Sequence, residues 1–156
     1  MKAFVKIVAA FLIVICIGCN SKEEPTINTD VDKLAKSINL AVKPVAARWV
    51  FTTEGDGMLG PSDYKILAVL KYNHTDWLSL YKEHKMLKPI EDECLSKEIM
   101  KDWYTESVKA CFKNNGKYLS VTKDVYNVDA FAKNSFIHGY CFFTDNDEVF
   151  LYTYTM

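Results

Sequence analysis

The chain has no block of basic residues that could follow a phosphate backbone. Its 19 Lys and Arg residues are balanced by 20 Asp and Glu residues, which gives a formal net charge of −1 over 156 residues. Affinity for nucleic acid depends on neutralising several phosphates at one surface, so this balance argues against a nucleic-acid partner. A basic face that would bind a membrane surface is absent for the same reason.

The chain also lacks a nucleotide-binding motif in the right context. Gly55, Gly57 and Gly60 spell G-x-G-x-x-G, but Pro61 leads from there into an apolar β run. A phosphate-binding loop of this type needs a helix to begin in the loop, because the helix N-terminus meets the phosphate. We therefore expect no nucleotide and no other cofactor.

Catalytic and metal-binding spacings are missing as well. His138 and Cys141 are the closest histidine and cysteine, but residues three apart on a strand point to opposite faces. His74 and His84 are ten apart, which on a helix places them on different sides, so we expect no zinc site. The acidic stretch 145–148 lacks the ordered loop of a calcium site and is interpreted as an exposed hairpin turn.

No apolar run is long enough to form a permanent membrane span. The run from Ile7 to Ile17 carries no charge, but a spanning helix needs about 20 apolar residues, and polar residues begin at Asn20. Lys2 and Lys6 give the start of the chain a positive charge. This order of a charged start and a short apolar run is typical of an export signal.

The apolar run ends in Cys16-Ile17-Gly18-Cys19, which resembles the lipobox of bacterial lipoproteins. The lipobox pattern is an aliphatic residue, a small residue, Gly or Ala, and then Cys. The resemblance implies that residues 1–18 are a cleaved signal peptide and that Cys19 is lipidated and acylated at its new N-terminus. The alternative is an ordinary signal peptide, which would release a secreted or periplasmic soluble protein.

The remainder divides into a polar tether and one domain. Residues 19–32 are polar and lack periodicity, which is typical of a linker between a lipid and a folded unit. Residues 33–156 have the length of a single domain with a proper core. The chain contains no internal repeat.

Periodicity predicts an α+β domain with an antiparallel sheet of four or five strands, β-hairpins at both ends, and two to four helices. The alternation of Trp49 and Phe51 with polar residues indicates a strand, and the apolar run Ile66 to Leu70 indicates an interior one. Predicted strands cover residues 45–53, 64–72, 118–122, 136–144 and 149–155. Predicted helices cover residues 31–40, 76–85, 96–112 and 128–133.

The C-terminal hairpin is aromatic on both faces. Phe142 and Phe150 are joined there by several tyrosines. One face should be core, and an uncovered second face would be a binding surface. We expect a helix to cover it.

The loop after the first strand is the preferred interaction surface. Long loops inside compact domains are commonly functional, and this one combines glycines with apolar and acidic residues. The candidate residues are Asp56, Met58, Leu59, Ser62, Asp63 and Tyr64.

Three cysteines lie in the domain, and export permits a disulfide between two of them. Cys94 and Cys111 would be about 25 Å apart on one straight helix and unable to bond. They could meet if the chain turns near Tyr104 and Thr105 caps a second short helix, and we favour this alternative. Cys141 is interpreted as a buried free thiol.

Together these features predict a non-catalytic binding module, held in the bacterial envelope by Cys19 and contacting another envelope protein. The outer membrane is favoured over the inner. No catalytic or metal-ligating residue is predicted. The alternatives are a small envelope hydrolase that uses Asp, Ser or His residues, and an immunity or inhibitor lipoprotein that acts against a toxin or lytic enzyme.

Overall fold

The computed structural model describes residues 25–54, 63–90 and 95–155. The elements in chain order are helix α1 (Val31–Leu34), strands β1 (Ala46–Glu54) and β2 (Asp63–Lys71), helix α2 (His74–Lys85), a first 3₁₀ helix (Lys97–Ile99), helix α3 (Glu106–Lys109), strands β3 (Phe112–Asn115), β4 (Tyr118–Val121) and β5 (Val125–Asn127), a second 3₁₀ helix (Asp129–Phe131), and strands β6 (His138–Phe143) and β7 (Glu148–Tyr154).

The predicted α+β class with an antiparallel sheet is confirmed. Five strands form a sheet in the order β1-β2-β7-β6-β5, and β3 and β4 form a separate hairpin. Every neighbouring pair in the large sheet is antiparallel. Strand β2 is paired on both sides, as its apolar sequence predicts.

Several local predictions differ from the structure. Strands β3 and β5 were not predicted, and the helices predicted across 31–40 and 128–133 are only the four-residue α1 and a 3₁₀ helix. Helix α2 begins two residues earlier than the predicted residue 76, because the Asn73 side chain accepts a hydrogen bond from the Asp76 amide at 2.9 Å and caps it. The continuous helix predicted across 96–112 is wrong, since only a 3₁₀ helix at Lys97–Ile99 and α3 are helical there and the residues from Phe112 form a strand.

The chain turns near Tyr104 and Thr105, which is the alternative favoured above for the segment before Cys111. The Thr105 side chain caps α3 by accepting a hydrogen bond from the Val108 amide at 3.4 Å. The Tyr104 hydroxyl donates to the Ile99 carbonyl at 2.6 Å, which folds the preceding segment back. Gly116, with a φ of 73°, then makes the β3–β4 turn rather than a helix stop.

Both faces of the large sheet are buried, because side chains alternate between them. Trp49 points into a helix-side core under α1 and α2, and Val50 points into a hairpin-side core under residues 95–121. The helix-side core also contains Leu34, Ile66, Leu70, Leu80, Phe131, Phe143 and Leu151. The hairpin-side core also contains Leu67, Ile99, Tyr104, Val108, Leu119, Phe142 and Phe150.

The covering layer on the hairpin side is the one expected over the aromatic C-terminal strands. The rings of Phe142 and Phe150 stack there with centroids 4.8 Å apart, and Phe112 packs edge-on against both at 5.4 and 5.5 Å. The layer is built from short helices and a hairpin rather than one long helix. Tyr152 and Tyr154, further along β7, remain only half-buried.

Gly139 is a position on β6 at which the backbone of β7 leaves no room for a side chain. Its φ is 127°, and a Cβ at this residue would lie 2.0 Å from the Tyr152 carbonyl oxygen. An L-residue is strained at this φ, and here it would also collide with backbone. Glycine at 139 is therefore required for the pairing of the two strands.

We predict that Gly139→Ala lowers the free energy of unfolding by about 3 kcal/mol or more, through backbone strain and a displaced strand. The matched control is Gly116→Ala, which has a φ of 73° but nothing within 4 Å of its Cβ, so the cost is about 1 kcal/mol. Urea denaturation of both variants measures the difference. Equal losses of unfolding free energy in the two variants would contradict the close approach of the β7 backbone to Gly139.

Candidate functional site

A cavity of about 610 Å³ lies on the hairpin side of the sheet. Its floor is formed by His138, Tyr140, Tyr152 and Tyr154, and we call it the tyrosine cavity. A volume of this size is typical of small-molecule sites. It occupies the part of β6 and β7 that the covering layer leaves open.

The floor is a two-by-two array of rings set by strand register. Tyr140 lies opposite Tyr152, and His138 lies opposite Tyr154. The ring centroids of these two pairs are 5.3 and 5.6 Å apart, and those of Tyr152 and Tyr154 are 5.4 Å apart. Residues two apart on a strand share a face, so paired strands place all four rings together.

The walls of the cavity come from segments distant in sequence. Leu95 and Ile99 approach from the covering layer, and Asn127 and Asp129 come from the end of β5 and the second 3₁₀ helix. Ser96 also faces the cavity, where its hydroxyl accepts a hydrogen bond from the Glu98 amide at 3.3 Å. No lysine or arginine is among the described lining residues.

The predicted interaction loop departs from the same end of the sheet. Asp56, Met58, Leu59 and Ser62 lie outside the described residues. Asp63 and Tyr64 are both exposed at the start of β2. Lys65 on β2 pairs with Tyr154 on β7, and Tyr154 pairs on its other side with His138 on β6.

The two described loop residues point to opposite faces. Asp63 shares the cavity's face of β2, by alternation with Leu67. Tyr64 lies on the other face against the Phe51 ring, with centroids 5.4 Å apart. The structure therefore places Tyr64 away from the tyrosine cavity.

The described cysteines are buried thiols. Cys141 is fully buried in the helix-side core, on the face opposite His138, as the spacing predicts. Burial raises the pKa of both the Cys141 and the Cys111 thiols. The Cys111 thiol donates to the Ser107 carbonyl at 3.2 Å. Cys94 lies outside the described residues, so its bond with Cys111 stays a prediction.

We predict that Cys111 and Cys141 in the reduced native chain react with iodoacetamide at least about tenfold more slowly near pH 8 than in the unfolded chain, because a raised pKa lowers the thiolate fraction. Peptide mapping by mass spectrometry separates them from Cys94. Equal rates in the two states would contradict the burial. A non-reducing map of the same protein tests the bond between Cys94 and Cys111.

Glu148 is a buried carboxylate that the sequence analysis missed. The interpretation of 145–148 as an exposed turn holds for Asp145 and Asn146, but Glu148 is only 5% exposed. Its carboxylate accepts hydrogen bonds from the hydroxyls of Thr105, at 2.8 Å, and Ser107. These bonds attach helix α3 to the start of β7.

A serine that donates to a carboxylate raises the hydrolase alternative, because a carboxylate can act as a general base. Ser107 is half-buried and lines a second cavity together with Cys111. The three histidines all lie elsewhere. His84 is buried in the helix-side layer and donates Nδ1–H to the Leu80 carbonyl at 2.8 Å, and His74 pairs with Asp147. The cluster around Glu148 is best explained as a connection between α3 and the sheet.

We predict that Glu148→Ala lowers the free energy of unfolding by about 2–4 kcal/mol, because two hydroxyls lose a charged acceptor in a buried site. The control is Glu106→Ala, whose side chain is 89% exposed and pairs with Lys109, so the loss stays below about 0.5 kcal/mol. Chemical denaturation at neutral pH measures both. A similar small effect at Glu148 would show that the cluster contributes little.

Comparisons with known proteins identify no relative. No protein-family model matches the chain, and neither a characterised protein nor a solved structure is significantly similar to it. Within the described ranges, no group of three or more His, Cys, Asp or Glu residues could hold a metal ion. The helices of these ranges are also too short or too polar to cross a bilayer.

Proposed function

We propose that this chain is a lipid-anchored bacterial envelope protein whose single domain binds another envelope component without chemistry of its own. The anchor is Cys19, on the lipobox resemblance of residues 16–19. The observation that carries the binding role is the tyrosine cavity, an open aromatic site at one end of a rigid sheet.

The arrangement of reactive groups supports binding over catalysis. The described thiols are buried with raised pKa values, and the half-buried Ser107 hydroxyl has the Glu148 carboxylate but no histidine beside it. The relay of serine, histidine and an orienting third group that activates many serine nucleophiles is therefore missing among the described residues. The titratable groups of the tyrosine cavity, His138 and Asp129, serve in this proposal as polar contacts to a ligand.

We predict that Cys19→Ser moves the protein from the membrane fraction to the soluble fraction and abolishes incorporation of a labelled fatty acid. The control is Cys16→Leu, which removes a thiol from the same short segment but supplies the aliphatic residue of the lipobox pattern and keeps the lipidated position. Fractionation and mass analysis of the N-terminal peptide measure the result. An unmodified N-terminus and a soluble wild-type protein would contradict the anchor.

The binding role is tested by crosslinking a C-terminally tagged chain in cells, with mass spectrometry of what is captured. We expect the wild type to capture an envelope component. Tyr154→Ala, which removes a ring from the cavity floor, should reduce this capture, while Tyr118→Ala on β4 should not. Equal capture by both variants would place the contact outside the cavity.

A further inference from the structure

We infer that the tyrosine cavity binds a neutral saccharide, namely one or two sugar rings of a glycan. This inference deepens the proposed function, on which it rests for the biological role of the site. It follows from the aromatic floor, the polar rim and the lack of lysine and arginine among the described lining residues.

The aromatic floor supplies an apolar surface of the right dimensions. Its ring centroids are 5.3 and 5.6 Å apart across the strands and 5.4 Å apart along β7, which matches the span of one or two pyranose rings. The C–H groups on the faces of a sugar ring pack against aromatic side chains. Tyr152, Tyr154 and His138 are only half-buried, so these rings are accessible to such a ligand.

The rim supplies groups that can pair with sugar hydroxyls. Asn127 has an amide donor and acceptor, Asp129 has a carboxylate acceptor, and Ser96 has a hydroxyl. The side chains of Asn127 and Asp129 belong to exposed residues on one side of the floor. Aromatic surface combined with a few uncharged or weakly acidic hydrogen-bonding groups fits a ligand that carries many hydroxyls and no charge.

The composition of the cavity disfavours the other ligand classes. Phosphate and sulfate groups are bound by Arg or Lys, and neither lines the described cavity. A quaternary ammonium group needs aromatic rings around it on several sides. Here all four rings project from one face of two adjacent strands, which forms a floor rather than a cage.

The test uses the full chain, purified in detergent, on an array of neutral oligosaccharides that includes α- and β-glucans, xylans, mannans, galactans and chitooligosaccharides. Sulfated and phosphorylated glycans and spermidine serve as charged comparison probes. The strongest hit is then titrated by calorimetry. We expect Tyr154→Ala to weaken binding by about tenfold or more and Tyr154→Phe to change it by less than about threefold, because the ring rather than the hydroxyl makes the contact.

Tyr118→Ala is the matched control, because Tyr118 is a 45% exposed tyrosine on β4 outside the cavity. Circular dichroism and thermal melting confirm that each variant is folded. A second variant, Asn127→Ala, removes rim hydrogen bonds without touching the floor and should also weaken binding.

Three results would overturn the inference. They are no binding to any neutral glycan, equal binding by the wild type and Tyr154→Ala, and binding only to sulfated or phosphorylated glycans or to spermidine. The proposed function fails separately. If the lipidated chain captures a partner through the cavity but binds no glycan, only the saccharide inference is refuted. If the chain binds a glycan but has an unmodified N-terminus, only the proposed lipid anchor is refuted.

Discussion

The pairing of β7 with both β2 and β6 is the interaction on which the rest of the structure depends. The last strand of the chain lies in the middle of the sheet, so the hairpin of β1 and β2 joins β6 and β5 only through it. Strands β2 and β7 are far apart in sequence, and such non-local pairing makes folding slow. Both cores and the aromatic floor require β7 to be in place.

Much of this fold was predictable from local pattern. The alternation around Trp49 and the apolar run from Ile66 mark β1 and β2, and the paired aromatic segments mark β6 and β7. Strand β5 has only three residues, which is too short for alternation to reveal. Helical spacing of Val108 and Cys111 favoured a long helix, but the cap at Thr105 and the turn at Gly116 divide this segment into α3 and a hairpin.

The candidate site was much less predictable, because it depends on register between strands. Tyr140 and Tyr152 were recognised as parts of an aromatic hairpin, but only their cross-strand pairing turns them into a floor. The walls come from Leu95 and Asn127, which have no sequence signal for this role. The burial of Glu148 could not be predicted, because the residue belongs to an acidic turn and its partners Thr105 and Ser107 lie about 40 positions earlier in the sequence.

In a chain anchored at Cys19 as proposed, the contact between Asn28 and Trp49 limits the distance between the domain and the lipid. The two residues exchange backbone hydrogen bonds of 2.8 and 2.9 Å, which fixes the chain to the edge of β1 well before α1. Asn28 lies nine positions after Cys19, and even a fully extended chain of this length reaches only about 30 Å. In a chain anchored at Cys19, the domain therefore works close to the membrane surface and meets components that are themselves displayed there.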